Sequence, residues 1–319
     1  MCAHLIKAVN RQQRRCVAMP VMPKVKWGTD VAARHGTVVG VVRVMDDPGE
    51  VAVALRGTAL DGHPVEQGLG DTMLVEGVVP ARVLESWRAA RSVVALTGRW
   101  PVLTGVGELY HEPEPHEIAL LERAARAVDP WSIYRNWGDD DPVGPNDLYL
   151  HMGSLGYVNL AARAERELPL PTTRLAVEGW LWETIIADPD LIELGHGVAA
   201  HYVGTRTWYT PRDVQLVLLP TPHQWLAPVW VSYYAAARPG GPAGLAAAIR
   251  QWERHCGAEL VACWTTMLQF VVARPPTLGP DAWRLAKQLK AVGGSLQMPP
   301  WALALAVTRS DAWFLHDRP

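Results

Sequence analysis

The chain has 319 residues, 49% of them hydrophobic and 19% charged, a profile that fits a folded protein with a substantial core and not a disordered chain. Its formal charge of −2 at pH 7 argues against nucleic acid as a partner, because no surplus of cations is present to neutralise many phosphates. No run of about 18 apolar residues occurs, and the N-terminus lacks the apolar stretch of a secretory signal, so a cytoplasmic protein with no membrane span is expected.

Residues 1–26 carry Lys7, Arg11, Arg14, Arg15, Lys24 and Lys26 with no acid, and read as a basic, disordered leader. Residues 27–110 read as β-rich. The Val-rich runs TVVGVVRVM (37–45), EVAVALRG (50–57) and DTMLVEGVV (71–79) predict strands, with Asp61-Gly62 as a turn between the second and third. A helix follows over 81–96, and TGRWPVLTG (97–105) predicts a short buried strand.

Residues 111–205 read as mainly helical. Pro115 suits a first helical turn, and Ile118, Leu121, Ala125 and Val128 form one apolar stripe. Residues 131–147, rich in Asp, Gly and Pro, predict a loop. A helix capped by Thr172 or Thr173 ends before Pro189, and a shorter helix over 190–202 is expected to break at Gly195–Gly197.

Residues 206–319 read as an α+β domain. DVQLVLLP (213–220) and APVWVSYY (227–234) predict strands. A helix opening at Gly241-Pro242 places Leu245, Ala248, Ile249, Trp252 and Cys256 on one face and ends at Gly257. AELVACW (258–264) and TMLQFVVA (266–273) predict two more strands, followed by helices over 280–292 and 300–308 and a strand over 312–315. This order predicts an α+β fold. It has a mostly antiparallel sheet with helices packed on one face, preceded by a smaller β-rich region and a helical middle.

Few residues look like chemistry. Tyr110–Glu117, YHEPEPHE, gathers His111 and His116 with three glutamates, but two prolines and a spacing of five keep the histidines off one helix face. The acidic run GDDD (138–141) contains Asp139 and Asp140 without the alternating oxygens and distal Glu of a calcium loop. LGHGVAAHY (194–202) offers His196 and His201, again five apart. No nucleophile elbow, phosphate-binding loop, dinucleotide fingerprint, HExxH or CxxC pair is present, so no metal and no cofactor is expected.

Cys2, Cys16, Cys256 and Cys263 are too scattered for a disulfide framework. In RQWERHCGAELVAC (250–263), alternation along the strand puts Leu260, Ala262 and Trp264 on one face and Glu259, Val261 and Cys263 on the other. Cys256 falls on the apolar stripe of the helix and reads as a packing residue. The 15 tryptophans and 25 arginines, against 2 phenylalanines and 5 lysines, point to a GC-rich coding genome, so the tryptophan surplus is not by itself the sign of a stacking surface.

The segment 245–276, with Trp252-Glu253, Gly257-Ala258 and Pro275-Pro276, resembles the C-terminal domain of a bacterial family, abundant in actinobacteria, known only as a domain of unknown function. LVLLPTPH (216–223) is similar to its strand of the form LVLVP, DAWFLHD (311–317) resembles its aromatic end, and TGRWPVLTG is similar to a segment found in long members. Members often carry an aromatic-Cys-Pro-Asp segment after the penultimate helix, where this chain reads GGSLQMPP (293–300), so no role of that Cys or Asp carries over. The resemblance implies a fold and a lineage but no activity.

With no catalytic motif and many Trp and Tyr residues able to anchor an interface, the leading expectation is a regulatory or immunity-type protein that binds another protein. The alternatives are an enzyme on a small polar substrate using His111, His116, Asp139, Asp140, His196 or His201, and a subunit of a larger assembly.

Overall fold

The computed structural model describes residues 43–107, 112–134, 140–143, 160, 171–206, 208–237 and 240–318. The expected leader, most of the first Val-rich run, and His111 and Asp139 lie outside these residues.

The fold is α+β, built on a seven-stranded mixed sheet in the order β1-β2-β4-β3-β5-β6-β7. The strands are β1 (Val65–Gln67), β2 (Met73–Val75), β3 (Trp100–Gly105), β4 (Val214–Leu219), β5 (Ala258–Cys263), β6 (Met267–Val272) and β7 (Ala312–His316). Every neighbouring pair is antiparallel except β3–β5. Although β4 comes from the last third of the chain, it lies between β2 and β3, pairing Leu216 with both Val75 and Leu103. The first strands and the last therefore belong to one sheet.

The β3–β5 seam is open, with a single bridge between Leu103 and Ala262. Side chains supply the missing ladder. The fully buried Gln224 amide donates to Ala258 O at 2.9 Å and accepts from Leu260 N at 2.6 Å, while the Trp100 indole donates to Leu260 O at 3.1 Å. These bonds satisfy strand groups that would otherwise be buried alone. The same opening accommodates Pro101 inside β3, whose carbonyl is met by the Trp87 indole at 3.0 Å and not by a neighbouring strand.

The helices among the described residues are α1 (Pro48–Ala54), α2 (Val83–Ser92), α3 (Val94–Thr97), α4 (Pro115–Ala127), α5 (Pro130–Ile133), α6 (Arg174–Ile186), α7 (Pro189–Ala199), α8 (Gly241–Cys256), α9 (Pro280–Val292) and α10 (Pro300–Arg309). Among the described residues, no helix is long and apolar enough to cross a membrane. On α8 the predicted stripe is buried, and Trp252 meets Phe270 and Trp313 edge-on at 5.8 and 6.4 Å. The helix thus covers the β6–β7 face, and the Trp252 indole ties it to α9 through Gln288 Oε1 at 3.1 Å. The helix ends at Gly257, which takes φ +59°, a left-handed value that favours glycine.

Three expectations are corrected. EVAVALRG is mostly helix α1 and not a strand: Asp47 caps it by accepting from Glu50 N at 3.0 Å, and Pro48 fits its first turn, so capping overrides the β preference of the valines. APVWVSYY is not a strand either but falls on 3-10 segments over Gln224–Val229 and Tyr234–Ala237, with Pro228 inside the first. Helix α7 runs unbroken through Gly195 and Gly197 and closes in a 3-10 turn over Ala200–Tyr202.

A β-bulge between Leu260 and Ala262 also overturns the alternation predicted for β5. Leu260 pairs with Phe270 and Cys263 with Leu268, so Cys263 shares the Leu260 face. Of the thirteen tryptophans among the described residues, nine are buried and the other four partly so, which makes them core residues and not exposed anchors.

Candidate functional site

The outer edge of β7 ends the sheet and exposes backbone groups that must be covered. The Tyr202 hydroxyl, from the turn after α7, donates to Phe314 O, and its ring packs on Phe314 at 4.7 Å. Ser295 N, from the loop after α9, donates to His316 O at 3.0 Å. The loop is held at its other side by Lys290, whose ammonium donates to Leu296 O, and by Ser295 Oγ, which accepts from Arg318 N at 3.0 Å.

These covers do not close on one another. Between them lies a cavity of about 420 Å³, within the range that suits a small ligand. Val198, Leu296, Met298, Pro299, Ala302 and Phe314 make its apolar wall, and His201, Ser295, Gln297 and His316 bring polar groups to it.

The protonation states follow from the surroundings. His201 Nδ1 lies 3.0 Å from Val198 O; a carbonyl only accepts, so Nδ1 is the donor of this bond and Nε2 is the ring nitrogen left for another partner. Burial, then the Arg318 charge, holds the His316 imidazole below its ordinary value against the opposing pull of Asp317, which favours the neutral ring. Burial raises the Tyr202 hydroxyl far above its ordinary value, so it serves as a donor to Phe314 and not as a base. Among the described residues the lining contributes no carboxylate. The cavity can therefore take a neutral, mostly apolar molecule and offer it an imidazole nitrogen.

The sequence candidates are not brought together. His201 lines the cavity, whereas His196, five residues earlier on α7, does not. His196 Nδ1 is buried without a hydrogen-bond partner, and burial followed by Arg309 lowers its affinity for a proton. Nearby, Arg309 pairs with Glu193 at 2.6 Å. His116 is exposed in the first turn of α4, which packs on α8, while α7 packs on α10 and α6. Asp140 is exposed. No group of three or more His, Cys, Asp or Glu residues that could hold a metal occurs among the described residues.

Comparison with protein families decides the C-terminal region. Residues 215–317 match the domain of unknown function DUF4253. No curated protein and no solved structure matches the chain. The DUF4253 region contains β5–β7, α8–α10 and all of β4 but its first residue. It supplies the Ser295–Pro299 and His316 walls of the cavity, while Val198, His201 and Tyr202 come from upstream of it. Reading the sequence missed His316, Tyr202, Ser295 and Gln297. Ser295 and Gln297 lie in GGSLQMPP, where the chain departs from the family pattern, His316 lies in the aromatic end DAWFLHD, and Tyr202 closes LGHGVAAHY beside His201.

Neither Cys256 nor Cys263 forms a disulfide, and both are buried. The Cys263 thiol donates to Ser232 O at 3.2 Å, and burial raises Cys256 above its ordinary value. Neither environment favours the reactive thiolate.

Proposed function

We propose that the chain is a regulatory binding protein whose ligand site is the cavity beside β7, and that the ligand is a small, neutral, mostly apolar molecule carrying one hydrogen-bond donor. The observation that carries this reading is an apolar chamber lined by His201, whose Nδ1 is engaged by Val198 O so that Nε2 is the nitrogen left for a ligand, with no carboxylate in the lining among the described residues. A histidine that works as a general base is usually oriented by a carboxylate, and an electrophilic or metal centre needs ligands that this wall lacks. Binding is the chemistry these groups support.

Phenol is the simplest probe, and toluene is its match without the donor. In an NMR titration, phenol should shift Phe314 and His316 resonances and bind about fivefold more tightly than toluene, the worth of one added hydrogen bond. His201→Phe should bring the two to parity. Saturating phenol that leaves these resonances unmoved would remove the reading.

A protein partner is the second reading, carried by a different feature. An apolar groove of about 590 Å³ runs between α4 and the 3-10 segment over Gln224–Val229, with Leu120 52% exposed at its side. Leu120→Asp should abolish the capture of any partner that docks there, and a partner retained in full would place the contact elsewhere.

A further inference from the structure

A second polar centre lies away from the cavity, where α4 packs against α8. Trp225, from the 3-10 segment over Gln224–Val229, is 4% exposed beneath this junction. The guanidinium carbons of Arg126 and Arg250 stand 5.3 and 5.8 Å from the centroid of its ring, and His223 stacks on the same indole at 5.5 Å. Arg254 lies one turn beyond Arg250 on α8.

The ring quadrupole accounts for one cation well, but it does not offset the repulsion among several. Arg126 is answered by Glu122 at 2.7 Å in a solvent-exposed i,i+4 pair, which contributes little. Arg250 makes no ion pair among the described residues, and burial, then Arg254, then Arg126 weaken its hold on its proton, with Glu253 opposing. Three guanidinium groups are thus gathered with too little negative charge around them. Guanidinium edges match the oxygens of a phosphate group and form charge-assisted, often paired hydrogen bonds with them.

We propose that Arg126, Arg250 and Arg254 form a binding site for a phosphate-type oxyanion, seated above Trp225 between α4 and α8. A diphosphate fits better than a monophosphate, because its two phosphoryl groups can engage guanidinium groups on both helices. The oxyanion can be free in solution or belong to an organic ester, and the site chemistry is the same for both.

Titration of the full chain with inorganic phosphate, inorganic pyrophosphate, ADP and adenosine tests this, read by calorimetry and by the Arg Nε–H resonances. Pyrophosphate should bind more tightly than phosphate, and adenosine should not bind. Tighter binding of ADP than of pyrophosphate assigns the site to an ester, and the reverse order assigns it to the free anion. Arg250→Gln should weaken the tighter ligand about tenfold or more, while Arg284→Gln, on α9, should leave it unchanged. The proposal is overturned if neither diphosphate binds at about ten millimolar, far weaker than a built site delivers, or if Arg250→Gln binds them as the parent does.

Discussion

Replacing Gln224 probes how the sheet stays continuous across its open seam. In Gln224→Leu the volume is nearly kept, but Ala258 O and Leu260 N lose their only side-chain partners at 2.9 and 2.6 Å. Each buried group left without a partner costs about 1–3 kcal/mol, so two such groups cost about 2–6 kcal/mol. The apolar transfer gained by leucine offsets part of this, which leaves a loss of about 3 kcal/mol. Gln224→Glu should be worse, because it keeps the acceptor for Leu260 N, loses the donor for Ala258 O and buries a charge. Urea denaturation reads the loss, and amide exchange at Leu260 should speed up in the same proportion. A Gln224→Leu chain within about 0.5 kcal/mol of the parent, the range of an ordinary surface substitution, would refute the seam argument.

Other outcomes follow from single residues. Gly257→Ala should destabilise by about 1–2 kcal/mol, since alanine is strained at φ +59° and its Cβ would stand 3.0 Å from the Ala273 Cβ; thermal denaturation checks it. His316 is depressed by burial first and Arg318 second, so the unfolded chain protonates before the folded one. The stability present above the ordinary histidine value, near 6.5, is lost as pH falls through the depressed folded value. The melting temperature should therefore drop from pH 7 to pH 5, and drop less in His316→Gln; equal slopes would contradict this. Iodoacetamide should leave Cys256 and Cys263 unlabelled in the native protein and label both in denaturant, as peptide mass spectrometry would show.

Much of the fold was legible because its signals are local. Gly257 after the α8 stripe, Pro115 at the start of α4 and the Pro275-Pro276 stop after β6 each mark an element boundary whatever the rest of the chain does. Reading failed where two local signals competed. The Asp47 cap outweighed the valines of α1, and Pro228 with burial on several sides turned a Val- and Tyr-rich run into 3-10 segments. The bulge in β5 left no mark in the sequence, since Val261 fits either side of a strand.

The site was less legible for a different reason. His201 stands out by residue type, but its companions are Phe314 and His316, more than a hundred residues later. They meet it only because Tyr202 binds the edge of β7. The number of tryptophans did not say where they lie, and Trp87, Trp230, Trp252, Trp301 and Trp313 fill the core.

A crystal soaked with 4-bromophenol decides whether the chamber beside β7 is a ligand site. Anomalous scattering from bromine should place the ring among Leu296, Met298 and Phe314, with its hydroxyl at hydrogen-bonding distance, about 2.7–2.9 Å, from His201 Nε2. Bromine found only elsewhere on the protein, with the chamber filled by water alone, would contradict it.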